Sequence, residues 1–226
     1  RRPAPDPVIE YCKSQGIRVH GHPLVWGSRS WHTPTWMLKS CAKGEEAEKL
    51  KTLIAEFPKH GNKCYGEKYT KKYKEMSAKD LGNYLPNLAA EMKRLTQKRI
   101  NEIAAYYGDK VDSWDVVNES ATDWGKGLIV KGDSICKSWY GMMPGDYPYL
   151  AFQTAQNAFP QNVKLNINDY KCDGDYTSEI KDLLSRGCKV DIVGSQMHLF
   201  NPKQTLAIAE GKEIQTPQQV QKTMDA

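Results

Sequence analysis

No apolar run in this sequence approaches the roughly 20 residues that a membrane-crossing helix needs. Stretches such as Leu53-Ile54-Ala55 are broken at once by charged residues, and the mean hydropathy is negative. A spanning helix is therefore not expected, nor is a membrane partner. The opening RRPAPDPVIEYCKSQGIRV lacks the continuous apolar core of an export signal and reads as the middle of a longer chain. The six cysteines, Cys12, Cys41, Cys64, Cys136, Cys172 and Cys188, include no CxxC pair and no zinc spacing. Cys41 and Cys64 flank one loop, so an oxidising compartment would allow a bridge between them; six separate thiols are the alternative. Also missing are an HExxH pair and a glycine-rich phosphate loop after any apolar segment, so neither a metal nor a nucleotide cofactor is expected. The excess of positive charge is mild, +5, and much of it lies between Lys59 and Lys79 in a stretch that matches no nucleic-acid-binding module. That stretch reads as a solvated lysine-rich loop.

What is present is an alternation. Short apolar runs occur at 17–27 (IRVHGHPLVWG), 111–119 (VDSWDVVNE), 163–170 (VKLNINDY) and 190–199 (VDIVGSQMHL), and amphipathic stretches lie between them. Leu88, Met92, Leu95, Ile100, Ile103 and Tyr107 recur at helical spacing over 87–107, before the stop signal Gly108. A shorter helix is predicted over 149–158, closed by Pro160, and another over 176–186 that ends at Gly187. Thr216-Pro217-Gln218-Gln219 has the form of a capping box and predicts a helix start. Strands alternating with helices are the mark of β-α units around a parallel sheet. In 226 residues they make one large α/β domain or two small ones.

Each predicted strand is apolar in its body and ends in groups able to bind or transfer protons. These are His22 and Trp26; Asn118 and Glu119; Asn168, Asp169 and Tyr170; Gln196 and His198. A closed parallel barrel brings all strand C-termini to one face, where such groups converge. An open doubly wound sheet would gather them less evenly, so the fold expected is a (β/α)8 barrel. Glu119 is the leading candidate for chemistry, because a carboxylate after an apolar strand costs several kcal/mol unless it is paired, hydrogen-bonded or at a rim. A helix cap or a structural salt bridge is the plainer alternative. A single histidine in a strand is more often a core residue than a functional one; two beside a carboxylate on separate strand ends shift that balance. Most tryptophans are core, yet Trp26, Trp31, Trp36, Trp114 and Trp124 cluster at strand ends and rim loops, where flat apolar platforms suit sugar rings. Asp169 is the only other strand-end carboxylate and hence the candidate partner of Glu119, or else the anchor of a neighbouring loop.

GHPLVWG followed by PTWM, WDVVNES, LNINDY and IVGSQMHL together resemble glycoside hydrolase family 10, the retaining endo-β-1,4-xylanases. The likeness spans about Ile9 to Ala226. It implies a (β/α)8 barrel of which these strands are the third to sixth, with xylan or xylo-oligosaccharides as substrate. It makes Glu119 the general acid/base and Asn118 the partner of the sugar 2-hydroxyl. His22 and Trp26 would line the glycone side, Tyr170 would contact sugar or nucleophile, and Gln196 and His198 would hold the nucleophilic glutamate. Asp169 then becomes an anchor. In retaining hydrolysis one carboxyl attacks the anomeric carbon while another, ~5–5.5 Å away, protonates the leaving oxygen and later deprotonates water. No cofactor takes part. A polymeric substrate also implies secretion, and the full-length enzyme is expected to be a monomer.

The sequence departs from the family in three ways. WGSRSWHTPTW stands where the family continues WHSQ, so one histidine and one glutamine are missing, with His32 as the candidate replacement. Pro23 follows His22 where the family commonly has a cis peptide, so a cis His22–Pro23 bond is predicted. Finally, four strands in 226 residues fall short of a barrel of ~250 or more. The first two strands and the last two, including the one with the nucleophile, are not found. Residues 1–226 are therefore expected to be an internal fragment of the catalytic domain, inactive and poorly folded alone. Two other functions compete: hydrolysis of a related β-1,4-glucan or mannan, and non-catalytic carbohydrate binding on a degraded barrel.

Overall fold

The computed structural model describes residues 5–27, 40–49, 85–121, 129–131, 134–136, 147–196, 210–211 and 217–225. Its frame is a four-stranded parallel sheet in the order β1 (His20–Gly21), β2 (Ser113–Asn118), β5 (Lys164–Asp169), β6 (Ile192–Ser195). Between the second and third of these lies a small antiparallel hairpin, β3 (Ile129–Lys131) with β4 (Ser134–Cys136). The sheet is accompanied by helices α1 (Asp6–Ser14), α2 (Pro86–Tyr107), α3 (Tyr147–Ala158), α4 (Gly174–Ser185) and α5 (Pro217–Met224), with a 3-10 turn, Gly108–Lys110, directly after α2. The expected helices over 87–107, 149–158 and 176–186 thus form within two residues of their predicted starts, and a helix begins at Pro217, where one was expected. Helix α1 and the hairpin were not foreseen. The first is too short and polar to show clear periodicity, and the second has only three residues per strand.

Pairing divides the sheet into two unlike faces. Leu165 and Ile167 of β5 and Trp114 and Val117 of β2 share one face by register and are buried. Trp114 packs against Tyr107 of α2 and against Phe159, just beyond α3. The opposite face carries His20 and, just past β1, His22; then Asp115 and Asn118; Asn166 and Asn168; and Gly194. The strands are therefore not apolar throughout, as the sequence reading had them. They alternate, with apolar residues under the helices and polar residues on the other face, which is the period-2 consequence of the pleat.

One irregularity makes this face continuous. The β2–β5 register slips between Asp115 and Val117, so that Asp115 pairs with Asn166 while Asn118 pairs with Asn168. In an unbroken strand, residues 115 and 118 would point to opposite faces. The bulge takes up the extra residue, Val116, and returns Asn118 to the side of Asp115.

The first strand is shorter than predicted. After Gly21 the ladder lapses and resumes with Leu24 N–H donating to the Asp115 carbonyl (2.8 Å) and Val25 N–H to that of Val116 (3.1 Å). Pro23 sits in the gap, where no amide donor is required, and the His22–Pro23 peptide is trans. The predicted cis bond is thereby overturned: a break in the strand accommodates the proline without one. Trp114, offered above as a sugar platform, is a core residue instead. Cys41 is buried with a free thiol, and Cys64 lies outside the described residues.

Helix α2 starts at Leu85, whose side chain makes no cap. Glu46 supplies one from 41 residues upstream, its two oxygens accepting from the amides of Asn87 and Leu88, each at 2.9 Å. A buried carboxylate on the free N–H groups of a first turn suits both their unmet hydrogen bonds and the helix dipole. Asp173 caps α4 in the ordinary local way, accepting from the amides of Asp175 and Tyr176, and Gly187 follows that helix in the left-handed region at φ 76°.

Gly21 is required for a different reason. A Cβ there would lie 2.3–2.5 Å from three ring atoms of Trp114, and that ring is wedged between Tyr107 and Phe159. Gly21→Ala is expected to overpack this layer at a cost of about 1–3 kcal/mol. Urea denaturation of the full-length protein should show that loss as a lower midpoint at unchanged slope; an unshifted midpoint would mean the Trp114 ring moves freely.

Candidate active site

At the C-terminal end of the sheet the polar face turns into a cluster around Glu119. This residue directly follows β2, and its amide donates to the Asn168 carbonyl at 2.8 Å. The backbone takes φ 57° there, the only positive value at a non-glycine residue among those described. A left-handed residue with a Cβ costs on the order of 1–3 kcal/mol and persists only where its surroundings impose it. Here the side chain is held at both ends: Trp26 Nε1 donates to Oε2 at 3.2 Å, and Gln196 Nε2 approaches Oε1 at 3.1 Å. Gln196 Nε2 is also 3.1 Å from Asn118 Oδ1, which accepts from Asn168 Nδ2 at 2.8 Å. Three strand ends and the loop after β1 therefore meet on one carboxylate and one amide.

Asp169 lies beside this cluster without joining it. It is completely buried, with Oδ2 accepting from the Ala121 amide at 3.0 Å and Oδ1 from that of Lys171 at 2.8 Å. Burial pushes its carboxyl above the ordinary value, against these two bonds, and the Glu119 charge adds to the rise. With both oxygens committed to backbone, Asp169 fastens the loops after β2 and β5 and is not disposed as a second reacting carboxylate.

Deeper on the same face sits an arrangement that the sequence reading missed. Asp115 Oδ2 faces two histidines, His22 Nδ1 at 2.6 Å and His20 Nε2 at 3.2 Å, while Oδ1 accepts from Asn166 Nδ2. The other ring nitrogen of His20 is 2.7 Å from Ser113 Oγ. Burial alone would push Asp115 up; the hydrogen bonds from His20 and His22 outweigh it and hold the carboxyl below its ordinary 3.8. The same contact with Asp115 lifts His20 above 6.5, against burial, which lowers it. A raised histidine stabilises the fold below its unfolded value and loses that contribution as pH rises through its folded one; a depressed carboxyl contributes above its unfolded value and loses it on acidification. The pair therefore supports the fold most between about pH 4 and 6.5. His22 in turn meets Trp26 edge to face at 6.0 Å between centroids, which links this arrangement to the Glu119 cluster.

Of the residues singled out in the sequence, the structure thus joins Trp26, Asn118, Glu119 and Gln196 directly, and His22 through Trp26. Tyr170 follows β5 and is exposed. His198, His32, Trp31, Trp36 and Trp124 lie outside the described residues. Asn168, singled out at the end of its strand, also joins the site through Asn118; Asp115, Asn166 and His20 went unrecognised, although the alternation in LNIND was there to be read for Asn166. Among the described residues no group of three or more His, Cys, Asp or Glu side chains is placed to hold a metal ion, and no helix is long and apolar enough to cross a membrane.

A parallel sheet flanked by helices, with its polar groups gathered at the strand C-termini, is part of a (β/α)8 barrel. A solved structure supports this: xylanase B from Clostridium stercorarium F9 superposes with a TM-score of 0.55 at 22% identity, over 92% of this chain and 54% of that one. The family model described as "Glycosyl hydrolase family 10" matches residues 3–83 and 71–224, and the chain belongs to that family. Among curated relatives, endo-1,4-beta-xylanase A of Halalkalibacterium halodurans is 29% identical over 86% of this chain and 40% of its own length. Endo-1,4-beta-xylanase C of Paenibacillus barcinonensis is 34% identical over 86% of this chain and 15% of its own. The chain spans less than half the length of these relatives.

Proposed function

We propose that the full-length protein is a retaining endo-β-1,4-xylanase, secreted and monomeric, in which residues 1–226 supply the acid/base part of the active site. The observation that carries this reading is the Glu119 carboxylate, held in a strained backbone position at the end of β2 between Trp26 and Gln196. Glu119 first gives its proton to the glycosidic oxygen while a second carboxylate attacks the anomeric carbon and the C–O bond breaks. It then takes a proton from the water that displaces the glycosyl ester. Asn118 holds the 2-hydroxyl of the sugar at the cleavage point, His22 and Trp26 line the glycone side, and Tyr170 contacts sugar or nucleophile. Gln196, whose amide reaches both Asn118 and Glu119, orients the acid/base as well as the nucleophile, the latter together with His198.

The second carboxylate is assigned outside residues 1–226. Asp169 is spent on backbone amides, and β6 forms a margin of the described sheet with Ile192 and Val193 exposed, so a further strand beside it would deliver the nucleophile across from Glu119. The curated relatives named above are endo-1,4-beta-xylanases, which favours xylan over glucan or mannan. Reducing-sugar release by the full-length protein from xylan and from cellulose tests the substrate, and the anomeric configuration of the first product, followed by NMR, tests retention. Preferential cleavage of cellulose or mannan would replace the xylanase reading with that of a related glycanase; no cleavage of any of them would favour a binding protein.

A further inference from the structure

We propose that Asp115 and His20 are positioning residues that fix the tautomer and ring plane of His22 and, through Trp26, the placement of the Glu119 carboxylate. This rests on the reading of Glu119 as the acid/base. Asp115 Oδ2 is the partner of both histidines, at 2.6 Å from His22 and 3.2 Å from His20. An ionised carboxylate only accepts hydrogen bonds, so the nitrogen of His22 that faces it, Nδ1, carries the proton. In the neutral ring Nε2 then holds the lone pair. Free imidazole side chains favour the opposite tautomer, and which one a protein uses is set by the partner of the other nitrogen.

Asp115 is itself held on both sides. Asn166 from β5 donates to its other oxygen, so the carboxylate cannot rotate away, and His20 competes with His22 for the shared one. The side chains of His20 and His22 are equally exposed, each 44% accessible, and the second nitrogen of His20 lies 2.7 Å from Ser113 Oγ. The groups that face the couple are thus Ser113 and Asp115 from β2, His22 from its own segment and the neutral amide of Asn166 from β5. Tyr176 of α4 also feels the Asp115 charge. When His20 is protonated it takes a larger share of Oδ2; when its Nδ1 gives up the proton beside the Ser113 hydroxyl, the remaining Nε2–H bond is weaker and the larger share passes to His22. The His22 ring packs on Trp26, whose indole donates to Glu119, so a change in its plane reaches the reacting carboxylate. Both links in that chain lie on the polar face that the β2 bulge makes continuous.

The test uses the full-length protein with 15N-labelled histidine. Wild type should show the neutral His22 ring as the Nδ1–H tautomer, with its ring signals shifting as His20 titrates. His20→Gln should keep that tautomer, abolish the coupled shift and remove the matching inflection from the pH profile of kcat/KM on xylan. Asp115→Asn should release the tautomer and lower kcat/KM by about 10²-fold, the scale on which an ångström of misplacement acts, mostly in kcat. If Asp115→Asn fails to fold, the His20→Gln comparison decides alone. An Nε2–H tautomer in wild type, or His22 signals and a pH profile unchanged by His20→Gln, would overturn the proposal. Should the NMR results hold while Glu119→Gln retains full activity on xylan, the acid/base reading fails and the histidine couple stands as structure only.

Discussion

Glutamine in place of Glu119 is expected to lower kcat on xylan by about 10²–10⁴-fold, the range that a positioned general acid/base contributes. The loss should depend on what each half-reaction asks of the residue. An aryl xyloside whose leaving group departs without protonation needs no acid in the first step, so its glycosyl-enzyme should still form, and then accumulate because water is no longer activated. Azide needs no base to attack, and it should restore turnover of that substrate while leaving xylan hydrolysis impaired. The fold should suffer little. Trp26 Nε1 and Gln196 Nε2 both approach the Glu119 carboxylate, and a glutamine offers one acceptor oxygen where the carboxylate offers two. One of these two bonds is therefore lost, a penalty of about 1 kcal/mol, which a thermal melt of the full-length protein would detect. Equal losses on xylan and on the activated xyloside, with no azide effect, would mean that Glu119 binds substrate without transferring protons.

How much of this could be read from the sequence depended on the distance over which each signal acts. The long helix α2 was legible because six apolar residues repeat at its period, and the end of α4 because Gly187 adopts the left-handed conformation that glycine favours there. Glu119 and Asn118 were legible because they break the apolar character of a strand at its end. Asp115 was not, since a charge inside an apolar segment gains its meaning only from the partners across the sheet: His22, 93 residues upstream, with His20 just before it, and Asn166, 51 residues downstream. The bulge at Val116 was equally hidden. It shows as no residue type, only as a slip between two strands, yet without it Asn118 would face the helices. The Glu46 cap on α2 follows the same logic, being 41 and 42 residues from the two amides it satisfies. Local periods could be read; side chains whose partners come from other strands could not.

Asp169 offers the second large effect, and its pH dependence separates two forces. Asp169→Ala strips the acceptors from the Ala121 and Lys171 amides, and Ala121 is fully buried, so water cannot replace what is lost there. An unmet buried amide costs about 1–3 kcal/mol, and with the weaker loss at half-buried Lys171 the total should reach about 2–4 kcal/mol. In a protein this size that corresponds to about 2–4 °C of Tm for each kcal/mol. The dependence on pH runs against the habit of assigning acidic stabilisation to ionised carboxylates. Burial raises Asp169 above its ordinary 3.8, so its contribution is complete below that value and declines as pH rises through the folded one. The gap between wild type and Asp169→Ala should therefore be wider at pH 4 than at pH 7, as measured by urea denaturation at both. A gap that widens toward pH 7 would show that the two amide bonds outweigh burial and favour the ionised form. In either case activity should fall with stability, because Ala121 stands two residues beyond Glu119, and the amide that Asp169 holds helps to fix the left-handed turn from which the acid/base projects.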